Sequence, residues 1–170
     1  MLIRQEEPRD YDRVTAVVKE AFESAEYSDG KEHHLVKALR MSEAFLPELS
    51  LVAEADGQVV GHIMFTRAKA GSHTVLALAP LSVLPGYQRK GIGSALIAEG
   101  HQIARELGYE YSVVVGSETY YPRHGYLPAD TLGITPPFDV PGENFMACRL
   151  MESAPDIHGR IQYAKEFGIG

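Results

Sequence analysis

Between Leu51 and Leu107 the chain sets three apolar runs ahead of a glycine-rich turn and an amphipathic helix, and few folds accommodate that order. LSLVAEADGQVVGHIMFTRAKAG places two β-branched, apolar runs around Asp56-Gly57, the dipeptide that accepts positive φ in a tight hairpin turn. TVLALAPLSVL follows as a third run, continuous enough to be a strand buried on both faces. The chain then passes Pro85-Gly86, carries Arg89 and Lys90, and reaches Gly91 and Gly93. From there GSALIAEGHQIARELG takes up helical periodicity, with Leu96, Ile97, Ile103, Ala104 and Leu107 inward and Gly108 as its C-cap. YEYSVVVG is again a strand. A hairpin, a third strand, a crossover helix and a further strand require a mixed sheet with helices on it, an α/β (α+β) domain.

The flanks fit that plan. LIRQ begins with a short strand, and Asp10 stands where it can cap a helix carrying Val14, Val17, Val18 and Phe22 on one face. KEHHLVKALRM predicts a second helix with Leu35, Val36 and Leu39 inward. Towards the C-terminus, LPADTLGITPPFDVPGE reads as loop, NFMACRL alternates like a strand, and HGRIQYAKEFG suits a strand or a short helix. At 170 residues the expectation is one domain, residues 1–170.

Composition removes several function classes. A net charge of -7 disfavours a general nucleic-acid binder, which needs a basic face, but permits a small anion on a local basic patch. No run approaches the roughly 20 apolar residues of a spanning helix, and no signal-peptide core stands at the start, so a cytoplasmic location off the membrane is expected. With Cys148 the only cysteine, no intrachain disulfide forms, and its place in an alternating strand suits a small core residue. The seven histidines are scattered, adjacent His33 and His34 diverge on a helix, and no H-E-x-x-H occurs, so no metal is expected. There is no G-x-S-x-G elbow for hydrolase chemistry.

The glycine turn carries the functional reading. A helix starting near Gly91 presents unpaired N–H groups and the positive end of its dipole, glycines let a bulky anion reach the backbone, and Arg89 and Lys90 add charge. Locally this is either a diphosphate cradle or an ordinary strand-to-helix turn with two exposed cations. It is not a nucleoside-triphosphatase loop, because Ile92-Gly93 stand where that motif needs Lys and a hydroxyl. It is not a dinucleotide fingerprint either, because Leu96 stands where the third glycine belongs.

Gln88, Gly91 and Gly93 do fill, in register, the [QR]-x-x-G-x-[GA] signature of the GNAT N-acetyltransferases, and the chain resembles that family from Leu51 to Leu127. GSETYYPRHGY and the FMACRL and GRIQYAKEF segments resemble a bacterial subgroup of predicted N-acetyltransferases. The resemblance implies a mixed, mostly antiparallel sheet flanked by helices, with its fourth and fifth strands splayed. It implies acetyl-CoA as acyl donor, with backbone groups of Leu81, Ser82 and Val83 along the pantetheine arm. The diphosphate would lie on the stretch Gln88, Arg89, Lys90, Gly91, Ile92, Gly93 and Ser94. Tyr121, Gly125 and Tyr126 match the family's Tyr-x-x-x-Gly-aromatic motif, which implies Tyr121 as general acid to the departing thiolate and Tyr120 as its structural partner. His124 faces either solvent or the phosphates.

Two features depart from the family. The place of its frequent cofactor-binding Asn falls near Val114, where Ser117 or a backbone group would substitute. TVLALAPLSV also lacks the carboxylate that often serves as general base; Glu54, Glu118, Glu32 and His33 are candidates, as is a water chain. The expected function is acetyl transfer to a primary amine of a small molecule or peptide; the alternative is an acyl-CoA-binding module without transfer. Asp10–Met41 and the loop Gly133–Gly142 would line the acceptor side, where Glu26, Asp29 and Glu32 either form an ordinary exposed acidic face, the favoured reading, or attract a cationic amine. Apolar runs in the last strands are compatible with a homodimer.

Overall fold

The computed structural model describes residues 1–168 apart from Ser24, Glu26 and Tyr27. Strands β1 (Leu2–Gln5), β2 (Phe45–Ala55), β3 (Gln58–Ala70) and β4 (His73–Val83) form an antiparallel meander in that spatial order. Its central turn is the expected one: Ala55 pairs with Gln58, and both Asp56 and Gly57 are left-handed, at φ 53 and 75. Helices α1 (Tyr11–Phe22) and α2 (Glu32–Arg40) bury Val14, Val17, Val18, Val36 and Leu39 in the core.

Helix α3 (Ile92–Glu106) crosses from β4 to β5 (Tyr111–Val115), which runs parallel to β4. It lies on the other face of the sheet, where Gly61 leaves room for Ile92 and Leu96. Gly100 is the second close approach: any Cβ there would collide with the Phe65 ring. The helix ends at Gly108 (φ 90), where Tyr109 N–H donates to Ala104 O and Gly108 N–H to Arg105 O. Leu107, expected inward, is exposed, because the helix has already ended there and the left-handed cap turns it to solvent.

Strand β8 (Phe145–Arg149) pairs antiparallel with β5 and with β6 (Leu127–Pro128). The segment read as loop is therefore more ordered than its prolines suggest: β6, a short helical turn at Ala129–Leu132, and β7 (Ile134–Thr135) run through it. The tail supplies both of its alternatives, strand β9 (Gly159–Gln162) and then a single turn at Lys165–Phe167. β9 pairs with β7 and β3, and with the preceding segment it covers Ala68, Val75, Ala77 and Val113 in a second apolar cluster. The result is one mixed α/β domain with a mostly antiparallel open sheet.

Asp10 is a correction. It stands at the N-cap of α1 but does not cap that helix; its carboxylate turns back to accept from Arg4 Nη1 (2.7 Å) and from Glu7 N–H (2.8 Å), the latter closing a capping box on the short turn Pro8–Asp10. Arg4 holds that carboxyl below the usual range.

Candidate active site

Two features place a groove at the end of β4. The first is strand divergence. β4 and β5 pair only through Leu76–Ser112 and Ala77–Val113, and β4 continues to Val83 with no partner on that side among the described residues. Leu84 N–H donates to Val60 O at 2.9 Å, and Ser82 faces His62 in the ladder. Backbone groups alternate sides in an antiparallel ladder. Ser82 therefore spends its backbone on β3, while Leu81 and Val83 turn theirs to the gap. The Val83 carbonyl already accepts the Gln88 side-chain amide at 3.0 Å.

The second feature is the mouth of α3. Gly91, at φ 83, is its N-cap, and no side chain caps it. The first helical bond runs from Ala95 N–H to Gly91 O at 3.0 Å, so Ile92, Gly93 and Ser94 N–H have no backbone acceptor among the described residues. Arg89 is also left-handed, at φ 63. Such alternation turns successive N–H groups towards one anion. Tyr87 braces the turn, its hydroxyl donating to Asp56 at 2.9 Å and its ring lying 5.5 Å from Lys90 Nζ. Among the described residues, Arg89, Lys90 and Arg123 pair with no carboxylate.

The groove encloses about 550 Å³, and every expected cofactor position lines it except Ser82 and Lys90. Ser82 points into the opposite, buried face, where its hydroxyl lacks a partner. The fit to a diphosphate rests on room as well as charge. A Cβ on Gly91 would meet nothing within 4 Å, and one on Gly93 would stand 2.7 Å from the Tyr120 hydroxyl.

Three lining residues escaped the sequence reading, Tyr87 beneath the turn and two from the segment after β5. Tyr120, taken as a structural partner, hangs over the helix mouth, and Arg123 closes the groove beside it. The doubled Tyr and the cation two positions on were the available signals, but only the short helical turn Tyr121–His124 shows which way each points. Tyr121 itself turns inward. Its ring rests where a side chain on Gly116 would be, edge-on to Tyr120 (5.1 Å) and Tyr126 (5.8 Å). Burial raises its phenol pKa, so it holds its proton at neutral pH. His124 Nε2 lies 3.3 Å from Ser94 Oγ.

The carboxylate base candidates are bonded elsewhere, and His33 lies outside the groove lining. Glu54 pairs with Arg4 at 2.8 Å, Glu118 accepts from Asn144, and Glu32 accepts from Ser28. Burial and neighbouring His34 hold His33 below the usual imidazole range. Of the acidic acceptor-side residues, Asp29 accepts from Lys31 N–H and Glu26 lies outside the described residues. Val114 is buried in the core, and Ser117 is bonded to Thr119. Cys148 is buried, its thiol pushed up to about 11. Among the described residues no His, Cys, Asp and Glu group is arranged to hold a metal, and no helix is long and apolar enough to cross a membrane.

Comparisons with known proteins converge on this arrangement. Residues 14–126 match the Acetyltransferase (GNAT) family. The uncharacterized N-acetyltransferase YjhQ of Escherichia coli is 41% identical over 136 residues, 77% of this chain and 75% of YjhQ. A GNAT family acetyltransferase from Brucella melitensis, solved with acetyl-CoA, superposes with a TM-score of 0.81 at 36% identity, covering 98% of this chain and 97% of that one. The E. coli N-acetyltransferase YhbS, solved with CoA, gives 0.89 at 29% identity, over 98% and 91%. A family match across most of the strands and helices that build the groove, with relatives of this similarity, is decisive: the chain belongs to the GNAT family of acetyltransferases.

Proposed function

We propose that the chain transfers an acetyl group from acetyl-CoA to a primary amine, with the donor lying along the groove from the β4–β5 gap to the mouth of α3. The observation that carries this is the row of unpaired N–H groups at Ile92, Gly93 and Ser94, beside unpaired Arg89 and Arg123, in a chain of this family. Bound acetyl-CoA supplies the acyl thioester. Leu81 and Val83 offer backbone groups to its arm in the manner of an added strand. The Leu81 N–H, turned to the gap, is the donor for the acyl oxygen, where such a donor contributes on the order of a hundredfold or more in rate. Tyr121 keeps a phenolic proton available for the departing sulfur. Because the carboxylate candidates are bonded elsewhere and His33 does not line the groove, the amine's proton leaves through water.

The test follows free thiol from acetyl-CoA across a panel of primary amines. Amine-dependent release, lowered at least tenfold in Tyr121→Phe with CoA affinity within a few-fold, supports the reading. CoA binding with no amine-dependent release makes the protein a binding module instead, and wild-type turnover in Tyr121→Phe reduces the phenol to packing.

A further inference from the structure

His124 is a titratable group that the proposed reaction does not use, set against the cofactor groove. Its Nε2 is 3.3 Å from Ser94 Oγ, and Ser94 supplies one of the unpaired N–H groups at the α3 mouth. Tyr120 packs against the imidazole with ring centres 5.1 Å apart, and adjacent Arg123 lines the groove. We propose that His124 is the proton-accepting member of the diphosphate site: it becomes an imidazolium as coenzyme A binds and, through Ser94, aims a hydroxyl at the diphosphate. This rests on the placement of the diphosphate at the α3 mouth proposed above.

The charges around His124 favour the neutral ring when the groove is empty of anions. Its own turn contributes Arg123. On α3, Ser94 is neutral, and His101 is held neutral, its value pushed down to about 4 by burial, with its Nε2 on the Tyr126 hydroxyl at 3.0 Å. From β8, Cys148 Sγ reaches the His124 carbonyl at 3.9 Å and stays a thiol. Tyr120 completes the surround. Among the described residues no carboxylate pairs with His124. Burial, then Arg123, keep its pKa below the usual 6.5.

A diphosphate reverses that balance by bringing negative charge within one side chain of the ring. A neutral imidazole can give or take the hydrogen bond to Ser94; an imidazolium can only give it. Ser94 then accepts from Nε2–H and must direct its own O–H elsewhere, towards the anion. The bound state gains a proton that the free state lacks, so affinity is greatest at low pH and lost as pH rises through the bound-state pKa, by about tenfold per pH unit for one whole proton.

Calorimetric titration of the full chain with coenzyme A, in buffers of different ionisation enthalpy at pH 7.5, reads protons taken up directly. His124→Gln keeps a group for Ser94 but cannot titrate, and subtracting it removes the ligand's own protonation. Greater uptake by wild type, with a steeper loss of affinity between pH 6.5 and 8.5, is expected. Equal uptake and equal slopes overturn the proposal. NMR titration of the His124 ring in wild type, with and without coenzyme A, gives the same answer should the variant not fold: an unchanged pKa overturns it. Undiminished binding in Gly91→Glu would instead remove the diphosphate from this mouth, and the inference with it.

Discussion

Gly91→Ala and Gly108→Ala form a matched pair that separates a turn from a ligand seat. Both glycines flank α3, Gly91 at φ 83 and Gly108 at φ 90, and at both a Cβ would meet no atom within 4 Å. Neither substitution creates a clash within the protein, so each costs only the left-handed conformation, about 1–2 kcal/mol. For a chain of this size that lowers Tm by about 2–4 °C per kcal/mol. The ligand effect differs. The open space over Gly91 faces the groove, whereas Gly108 sits at the far end of the helix beside Tyr109. A methyl group in a diphosphate seat should cost at least about 1.4 kcal/mol, a tenfold loss of coenzyme A affinity. Thermal unfolding followed by circular dichroism should give similar drops for the two variants, and calorimetry with coenzyme A should show weakening in Gly91→Ala alone. If both bind coenzyme A as wild type does, the open space is a turn requirement and not a seat. If both weaken equally, the effect travels through helix strain.

Other predictions concern the buried polar groups. Glu6 and Arg40 are bonded at 2.6 Å with side chains 1% and 6% exposed, and Glu6 also accepts from Ser50. Glu6→Gln leaves Arg40 buried and uncompensated and should cost about 3–5 kcal/mol in urea unfolding; an unchanged midpoint would show that water reaches the pair. His62 and His101 are pushed down to about 4 by burial and are neutral in the fold. The unfolded chain protonates them near pH 6.5. Stability should thus be full above pH 6.5 and fall as pH approaches 4, by up to about 1.4 kcal/mol per pH unit for each. His101→Gln should flatten that slope, and a flat profile in wild type between pH 6.5 and 5 would refute burial in the neutral form.

Where the chain declares a backbone requirement, its sequence was readable. Asp56-Gly57 and Gly91 need left-handed φ, and the structure places left-handed residues at all three, whereas Gly93 is needed for room under the Tyr120 hydroxyl. Apolar runs located β2–β5, alternation located β8 and helical spacing the three helices, because the central strands are buried on both faces while each helix buries one. Orientation within short, irregular turns was not readable. The sequence of Tyr120 and Tyr121 is the same residue twice, and only the turn that follows sends one over the groove and the other onto Gly116. Asp10 was misread because its carboxylate is claimed by Arg4 of the preceding strand β1 and by Glu7 N–H, a pairing that residue spacing does not reveal. The proline-rich segment hid β6 and β7, whose two-residue ladders draw their stability from β8 and β9 and not from local propensity.

The two-pair ladder between β4 and β5 divides the sheet into halves held by a short seam. An acyl arm lodged in the gap would extend that seam with groups the polypeptide does not own. The strength of the folded state then becomes partly a property of the surroundings. At a hundred times the dissociation constant, a ligand adds about 2.7 kcal/mol to unfolding. Such a chain is held together more firmly where its acyl donor is plentiful, and its resistance to heat or proteases reports metabolite supply as much as sequence.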